Sequence, residues 1–187
     1  QWVMGVNLDG ILNGLRAFIP HMLEHGEPSH IVNTSSIAGM MTGGGSPYGI
    51  SKHAVSRLSE GLYFDLLARQ ASIGVTCLCP GIINTNIINS GRNRPEHLAN
   101  AGTPGTLSPE QQKGMQGFID YFKDQGMAPR QVGDLVAEAM LANQFYLFTQ
   151  DEFMPLIKSR FDNIVDEKNP IQPDALPQNL SNDKGLQ

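Results

Sequence analysis

Long apolar runs are missing from this 187-residue chain: no stretch reaches the roughly 18 residues a membrane helix needs. No basic, apolar, small-residue leader pattern opens it either. Cysteine is scarce, with only Cys77 and Cys79, two apart in GVTCLCPG. Period two along a strand puts both thiols on one face, where they are poorly placed to bond each other. A lone C-x-C is a weak zinc signal, so the pair reads as packed free thiols of a reducing compartment, and a cytoplasmic location is expected. Clustered positive charge is also lacking. Lys and Arg total 13 against 18 Asp and Glu, a net charge of -5, which argues against a nucleic-acid surface. Only Arg92 and Arg94 fall close together, in GRNRPEH, and they read as a solvated loop. There is no internal repeat and no G-x-S-x-G elbow, and the glycines at 43–45 lack the Lys-Ser/Thr ending of a phosphate loop. The chain opens at Gln1 within a helical pattern, without an initiating Met, and we read it as a piece of a longer protein.

What is present describes a globular chain of one ordinary domain, 40% hydrophobic and 17% charged. The patterning predicts a helix over 2–25, a strand over 30–35, a helix over 47–69 and a strand over 73–79. A long connection follows, then a helix over 129–142, a strand over 145–149 and a helix over 151–165. Such alternation argues an α/β fold with a parallel sheet, the distal part of a doubly wound one. In the second helix Ser46 is placed to cap, Pro47 suits the first helical position, and Ile50, Ala54, Leu58, Leu62 and Leu66 make an apolar stripe.

Residues 84–127 exceed an ordinary connection and form a candidate substrate lid. Ser108, Pro109 and Gln111 resemble a capping box there, and Met115, Phe118, Ile119 and Phe122 recur on one helical face. After Phe161 the chain turns polar and proline-rich, so 166–187 reads as a mobile or surface-draped tail.

The chemistry concentrates in NTSSIAGMMTGGGSPYGISK, which holds Ser36, Tyr48 and Lys52. A tyrosine is a poor base at its ordinary pKa of about 10, but a cation one helical turn away favours the phenolate. Residues four apart leave the same helix face as neighbours, so the spacing of Tyr48 and Lys52 has a chemical use.

With a serine after a strand and Tyr-x-x-x-Lys on the next helix, the chain resembles the short-chain dehydrogenase/reductases. VNLDG near the start and CPGIINT after a later strand extend that resemblance across nearly all of 1–165. It implies a partial Rossmann-like catalytic domain over 1–165 and an NAD- or NADP-dependent interconversion of a secondary alcohol and a carbonyl. Asn7, Ser36, Tyr48 and Lys52 would then form a catalytic tetrad. Tyr48 would be general acid/base, Ser36 would hydrogen-bond the substrate oxygen, and Lys52 would lower the tyrosine pKa and bind the nicotinamide ribose. Asn7 would hold a relay water. Pro80, Gly81, Ile83 and Thr85 would pass beside the nicotinamide. The resemblance also implies a small hydrophobic alcohol or ketone as substrate, the lid as its pocket wall, and a homodimer or homotetramer. The family's glycine-rich TGxxxGxG turn belongs upstream of Asn7 and is not in this sequence.

Two other readings compete. The chain could serve as a non-enzymatic binding or dimerisation piece, with Gly5, Gly10 and Gly14 permitting close approach to a neighbour. His21, Glu24 and His25 spell H-x-x-E-H, an inverted zinc-peptidase pattern, but Pro20 before it and Gly26 and Pro28 after it favour a solvated helix end, and no metal site is expected. His53 and His97 form no triad with Ser36.

Overall fold

A strand buried on both faces must be apolar almost throughout, and IGVTCLC meets that demand as the central strand β2 (Ile73–Cys79). In the computed structural model, which describes residues 1–43, 45–99 and 108–171 (111 by its backbone alone), β2 is flanked by β1 (Ser29–Thr34) and β3 (Tyr146–Phe148). All three run parallel in the order β1-β2-β3, with Ile31 opposite Val75 and Leu78 opposite Leu147.

Helices cover both faces, as parallel strands require. The first helical stretch comprises α1 (Trp2–Met4), a π-helical segment (Gly5–Asp9) and α2 (Gly10–His25). Gly26, at φ 67°, ends it in the left-handed conformation that glycine adopts without strain. With α3 (Pro47–Ala68) it buries Ile31, Leu66, Ile73 and Val75 under Leu15, Ile19, Met22 and Leu62. On the opposite face α5 (Pro129–Leu141) contributes Val132, Leu135, Val136 and Ala139 over Leu78 and Leu147. A third group, on the thiol-bearing face of β2, joins Met40, Cys77 and Cys79 to Ile157 of α6 (Met154–Val165). Each such side chain contributes roughly 1.5–3 kcal/mol by leaving water.

The predicted elements are present with small shifts. Ser35 lies just past β1, β3 is shorter than 145–149, Ala142 caps α5 rather than extending it, and a 3₁₀ turn over Asp151–Phe153 replaces the start of the last helix. Ser46 does cap α3, its Oγ accepting from the Gly49 N–H at 3.1 Å, and Pro47 takes the first turn.

The buried face of α3 differs from the expected apolar stripe. Ile50 is exposed and Ala54 and Leu58 are half-buried, while Ser51, Lys52, Val55, Ser56 and Ser59 face the sheet. Small hydroxyl side chains let the helix approach β1 closely, and each finds an acceptor without water. Ser56 donates to the Lys52 carbonyl and Ser59 to the Val55 carbonyl, while Ser59 also accepts from Asn33 Nδ2 at 3.0 Å.

His30 is placed equally closely. Thr76 Oγ1 donates to the Gln144 carbonyl at 2.7 Å, so it accepts from His30 Nε2 at 2.8 Å, and burial lowers the histidine pKa. A β-carbon on Gly74 would run into that imidazole.

Between α3's strand neighbours and α5 lie short 3₁₀ segments (Ile87–Asn93, Glu96–Leu98) and α4 (Pro109–Gln125). Tyr121 and Phe122 of α4 pack on Ile37, Ile82 and Phe153, whereas Met115 and Phe118 are exposed. The expected capping box rests on the Gln111 side chain, which lies outside the described residues, as does 172–187 of the tail. The tail's first residues turn back on the sheet end, where the Ile171 carbonyl accepts from Thr42 Oγ1 at 2.6 Å. Arg92 donates to the Asn86 and Asn89 carbonyls, and Arg94 stacks on the Trp2 ring at 5.6 Å. Arg92 is thus an exposed side chain of a solvated loop, as expected, while Arg94 is partly covered by its contacts within the chain. No described helix is long and apolar enough to cross a membrane.

Among the described residues β1 pairs only with β2, leaving its other edge open, and Val6, Phe18, Ile50, Phe64 and Leu67 are exposed. Residues 1–187 expressed alone should therefore aggregate; a monodisperse preparation with a cooperative thermal transition would contradict this.

Candidate active site

Polar residues ending a buried strand must find partners at the sheet's carboxyl edge, and here they assemble the site. Past Thr34, the Ser35 N–H continues the ladder to the Leu78 carbonyl, while Ser35 Oγ donates to the Lys52 carbonyl at 2.8 Å and meets Ser56 Oγ at 2.7 Å. Ser36 is extended, with its Oγ accepting from the Ala38 N–H at 3.1 Å and directed to the Pro80 carbonyl at 3.4 Å. A 3₁₀ turn over Ile37–Gly39 then brings the chain against α3. Gly39 is required by that contact, since a β-carbon there would lie 2.7 Å from the Lys52 carbonyl oxygen.

An ordinary helix pair would bury the phenol and leave the ammonium in water. Tyr48 and Lys52 do the reverse: Tyr48 is 39% exposed and Lys52 only 9%. Lys52 Nζ donates to the Thr34 carbonyl at 2.8 Å and sits 5.7 Å from the Tyr48 ring centre. Burial lowers the lysine pKa, and the sulfurs of Cys77 and Cys79 act the other way. The two thiols are free, fully buried and 3.8 Å apart, on one strand face as the spacing requires. The hydrogen bond to Cys77, with burial, holds the Cys79 thiol well above its usual range. A buried ammonium beside a half-exposed phenol puts two proton-bearing groups together at the sheet's carboxyl edge.

Asn7 lies in the π-helical segment Gly5–Asp9, a local widening that often marks functional positions. Its Nδ2 donates to Ser51 Oγ at 3.0 Å, and Ser51 Oγ donates to the Tyr48 carbonyl at 2.7 Å. Asn7 is thereby tied to the Tyr48–Lys52 turn through Ser51, a residue that sequence reasoning missed. Its signal was only a serine beside the lysine.

The segment from Pro80 onward leaves the end of β2 and is held on every side. The Pro80 carbonyl accepts from the Ile37 N–H at 3.0 Å, the Gly81 N–H donates to Thr149 Oγ1 at 3.0 Å, and the Ile82 N–H donates to Gln150 Oε1 at 2.7 Å. Met127 brackets the next turn through the Ile82 carbonyl and the Asn84 N–H, both at 2.9 Å. Thr149 and Gln150 were also missed. They follow the strand as a plain Thr-Gln pair, and nothing in that pair announces a contact 68 residues back. The structure thus gathers Asn7, Ser36, Tyr48, Lys52, Pro80 and Gly81 at one edge of the sheet, with Ile83 and Thr85 following on the same loop. His21 and Glu24, by contrast, are exposed on the far part of α2, 4.0 Å apart.

Comparison with known proteins finds relatives over most of the chain. Residues 1–96 match the family model described as "short chain dehydrogenase". A CLA biosynthesis dehydrogenase/reductase of Lactiplantibacillus plantarum is 30% identical over 171 residues, covering 91% of this chain and 59% of that protein. A C alpha-dehydrogenase of Sphingobium sp. is 30% identical over 175 residues, covering 93% of this chain and 55% of that protein. Among solved structures, a short chain dehydrogenase/reductase from Burkholderia phymatum in complex with NAD superposes with a TM-score of 0.84 at 34% identity, covering 94% of this chain and 62% of that one. The chain therefore spans less than two thirds of the length of these relatives.

Two outcomes test the packing of the site. Gly39→Ala should destabilise the protein by about 1–3 kcal/mol, read as a lowered denaturation midpoint, because Lys52's turn must retreat. Because folding lowers the Lys52 pKa, the unfolded chain binds more protons between the folded value and the ordinary 10.5. Stability from this group should rise with pH across that interval, so wild type should gain thermal stability relative to Lys52→Met as pH rises from neutral; parallel profiles would contradict it.

Proposed function

Because the chain belongs to the short-chain dehydrogenase family, we propose that it carries the catalytic residues of an oxidoreductase that interconverts a secondary alcohol and a carbonyl with NAD or NADP. The observation that carries the reading is the inverted pair, with Lys52 buried beneath a half-exposed Tyr48. The donor set suits the nicotinamide-ribose half of a dinucleotide: an ammonium and a phenol side by side for ribose hydroxyls, and a braced run of backbone amides after β2. When bound, the dinucleotide supplies or accepts the hydride.

This chain's residues manage the proton. In the reducing direction Tyr48 donates its hydroxyl proton to the carbonyl oxygen, and in the oxidising direction the phenolate accepts it from the alcohol. Ser36 Oγ, on the rigid extended segment after β1, hydrogen-bonds the same oxygen. Lys52 stands beside the Tyr48 ring to hold the nicotinamide ribose, and the Thr34 carbonyl keeps its ammonium in place. Asn7 supports a water that returns protons toward solvent, and its bond to Ser51 holds the π-helical segment against α3. Pro80, Gly81, Ile83 and Thr85 would flank the nicotinamide.

Residues 1–165 act as the catalytic unit, with 84–127 as the substrate lid and 166–187 as an appended tail. The Phe122 and Tyr121 contacts with Ile37 and Ile82 put an apolar wall next to the Ser36 turn, which suits a small hydrophobic alcohol or ketone. The protein works in the cytoplasm as a homodimer or homotetramer, and the exposed apolar residues of α2 and α3 are the surface available for that assembly.

In protein extended upstream of Gln1 to the length of the relatives, nicotinamide absorbance should report turnover of secondary alcohols. Tyr48→Phe should lower kcat by about 10²–10⁴-fold while dinucleotide affinity stays near wild type. Tyr48→Phe retaining full turnover would refute the acid/base role.

A further inference from the structure

Fixing a flexible loop at a reaction centre requires its backbone donors to be engaged, and the loop after β2 has two engaged by side chains that follow the neighbouring parallel strand β3. The Gly81 N–H meets Thr149 Oγ1 at 3.0 Å and the Ile82 N–H meets Gln150 Oε1 at 2.7 Å. Both acceptors are immobilised: Thr149 is 0% exposed and Gln150 1%. The carboxamide orientation is set, because only Oε1 can accept from Ile82. Gln150 Nε2 is left buried without a partner among the described residues, so the side chain is kept at a cost, for its oxygen. Contact is close enough that a β-carbon on Gly81 would strike Gln150 Oε1 and the Phe153 ring. Two residues on, Met127 accepts from the Asn84 N–H. Between these braced positions Ile83 is bridged to Met127.

We propose that Thr149 and Gln150 are positioning residues that clamp Gly81 and Ile82 and thereby hold the 80–83 segment in register for the nicotinamide ring. This rests on the functional reading above. The two side chains act at a distance from the reacting atoms: they order the backbone, and the backbone orders the ring against Tyr48 and the substrate. The clamp accordingly concerns one end of the dinucleotide only, and its loss should be felt at the nicotinamide and not at the adenosine.

The test uses protein extended upstream of Gln1 and the variants Thr149→Val, Thr149→Ser, Gln150→Met and Gln150→Glu. Thr149→Val and Gln150→Met keep shape and remove the acceptor; Thr149→Ser and Gln150→Glu keep an acceptor oxygen. Amide hydrogen exchange should speed up at Gly81 in Thr149→Val and at Ile82 in Gln150→Met, and return toward wild type in Thr149→Ser. In the same two variants kcat should fall by about ten- to hundredfold. The fluorescence gain of bound reduced dinucleotide should drop, while affinity for ADP-ribose, which lacks the nicotinamide, should change by less than about twofold. Restoration by Thr149→Ser and partial restoration by Gln150→Glu complete the expected pattern. Unchanged exchange and kcat in Thr149→Val and Gln150→Met would overturn the clamp, as would equal weakening of ADP-ribose and reduced dinucleotide, which marks a general structural role. Wild-type protein that neither binds reduced dinucleotide nor turns over any alcohol would overturn the functional reading itself, and that result is visible before any variant is made.

Discussion

The approach of α3 to the carboxyl end of β1 governs the rest of the structure. A helix that carries Lys52 inward has to come close enough for its ammonium to reach a strand carbonyl, and the 2.8 Å bond to Thr34 shows how close that is. Only small residues allow it. Ser51, Ser56 and Ser59 on the helix and Gly39 on the turn opposite keep the side chains between the two backbones short, and Ser35 bonds the Lys52 carbonyl directly. With larger apolar residues at those positions the helix would pack at an ordinary distance, as Leu62 and Leu66 do further along, and Lys52 would reach water.

Closeness of this kind is costly unless every polar group it buries is satisfied. The serines of α3 solve the problem locally by returning their hydroxyl protons to carbonyls four residues earlier. From the strand side Asn33 Nδ2 uses a remaining lone pair of Ser59, and Ser35 Oγ donates to the same Lys52 carbonyl as Ser56. The same economy continues outward: Ser51 passes Asn7 to the Tyr48 carbonyl, and the strand-end hydroxyl and amide of Thr149 and Gln150 engage the loop after β2. The site is therefore the end of a polar network threaded between apolar groups, its inner bonds at Asn33, Ser56 and Ser59 buried from competing water.

Much of this was legible in the chain. Ser46-Pro47 announced the start of α3, the apolar run of IGVTCLC announced a central strand, and the spacing of Tyr48 and Lys52 announced neighbours on one face. The stripe of Ile50, Ala54 and Leu58 misled, because hydropathy assigns small hydroxyl residues to the surface, whereas a helix seeking close approach buries them. Periodicity alone does not distinguish those two faces, which lie one residue apart in phase.

The sequence by itself determined the α/β alternation and the parallel sheet that follows from it, and it set Tyr48 and Lys52 as neighbours on one helix face, because those properties reside in local period, turn chemistry and spacing. The tertiary structure alone decided which member of the Tyr48–Lys52 pair is buried, that Asn7 is held through Ser51, and that Thr149 and Gln150 brace Gly81 and Ile82. These depend on groups 18 to 68 residues apart meeting at one edge of the sheet. The physical reason is that a hydrogen bond acts through space: short-range patterns set the direction in which a side chain leaves its helix or strand, but only the stacking of β1, β2 and β3 sets what it meets there.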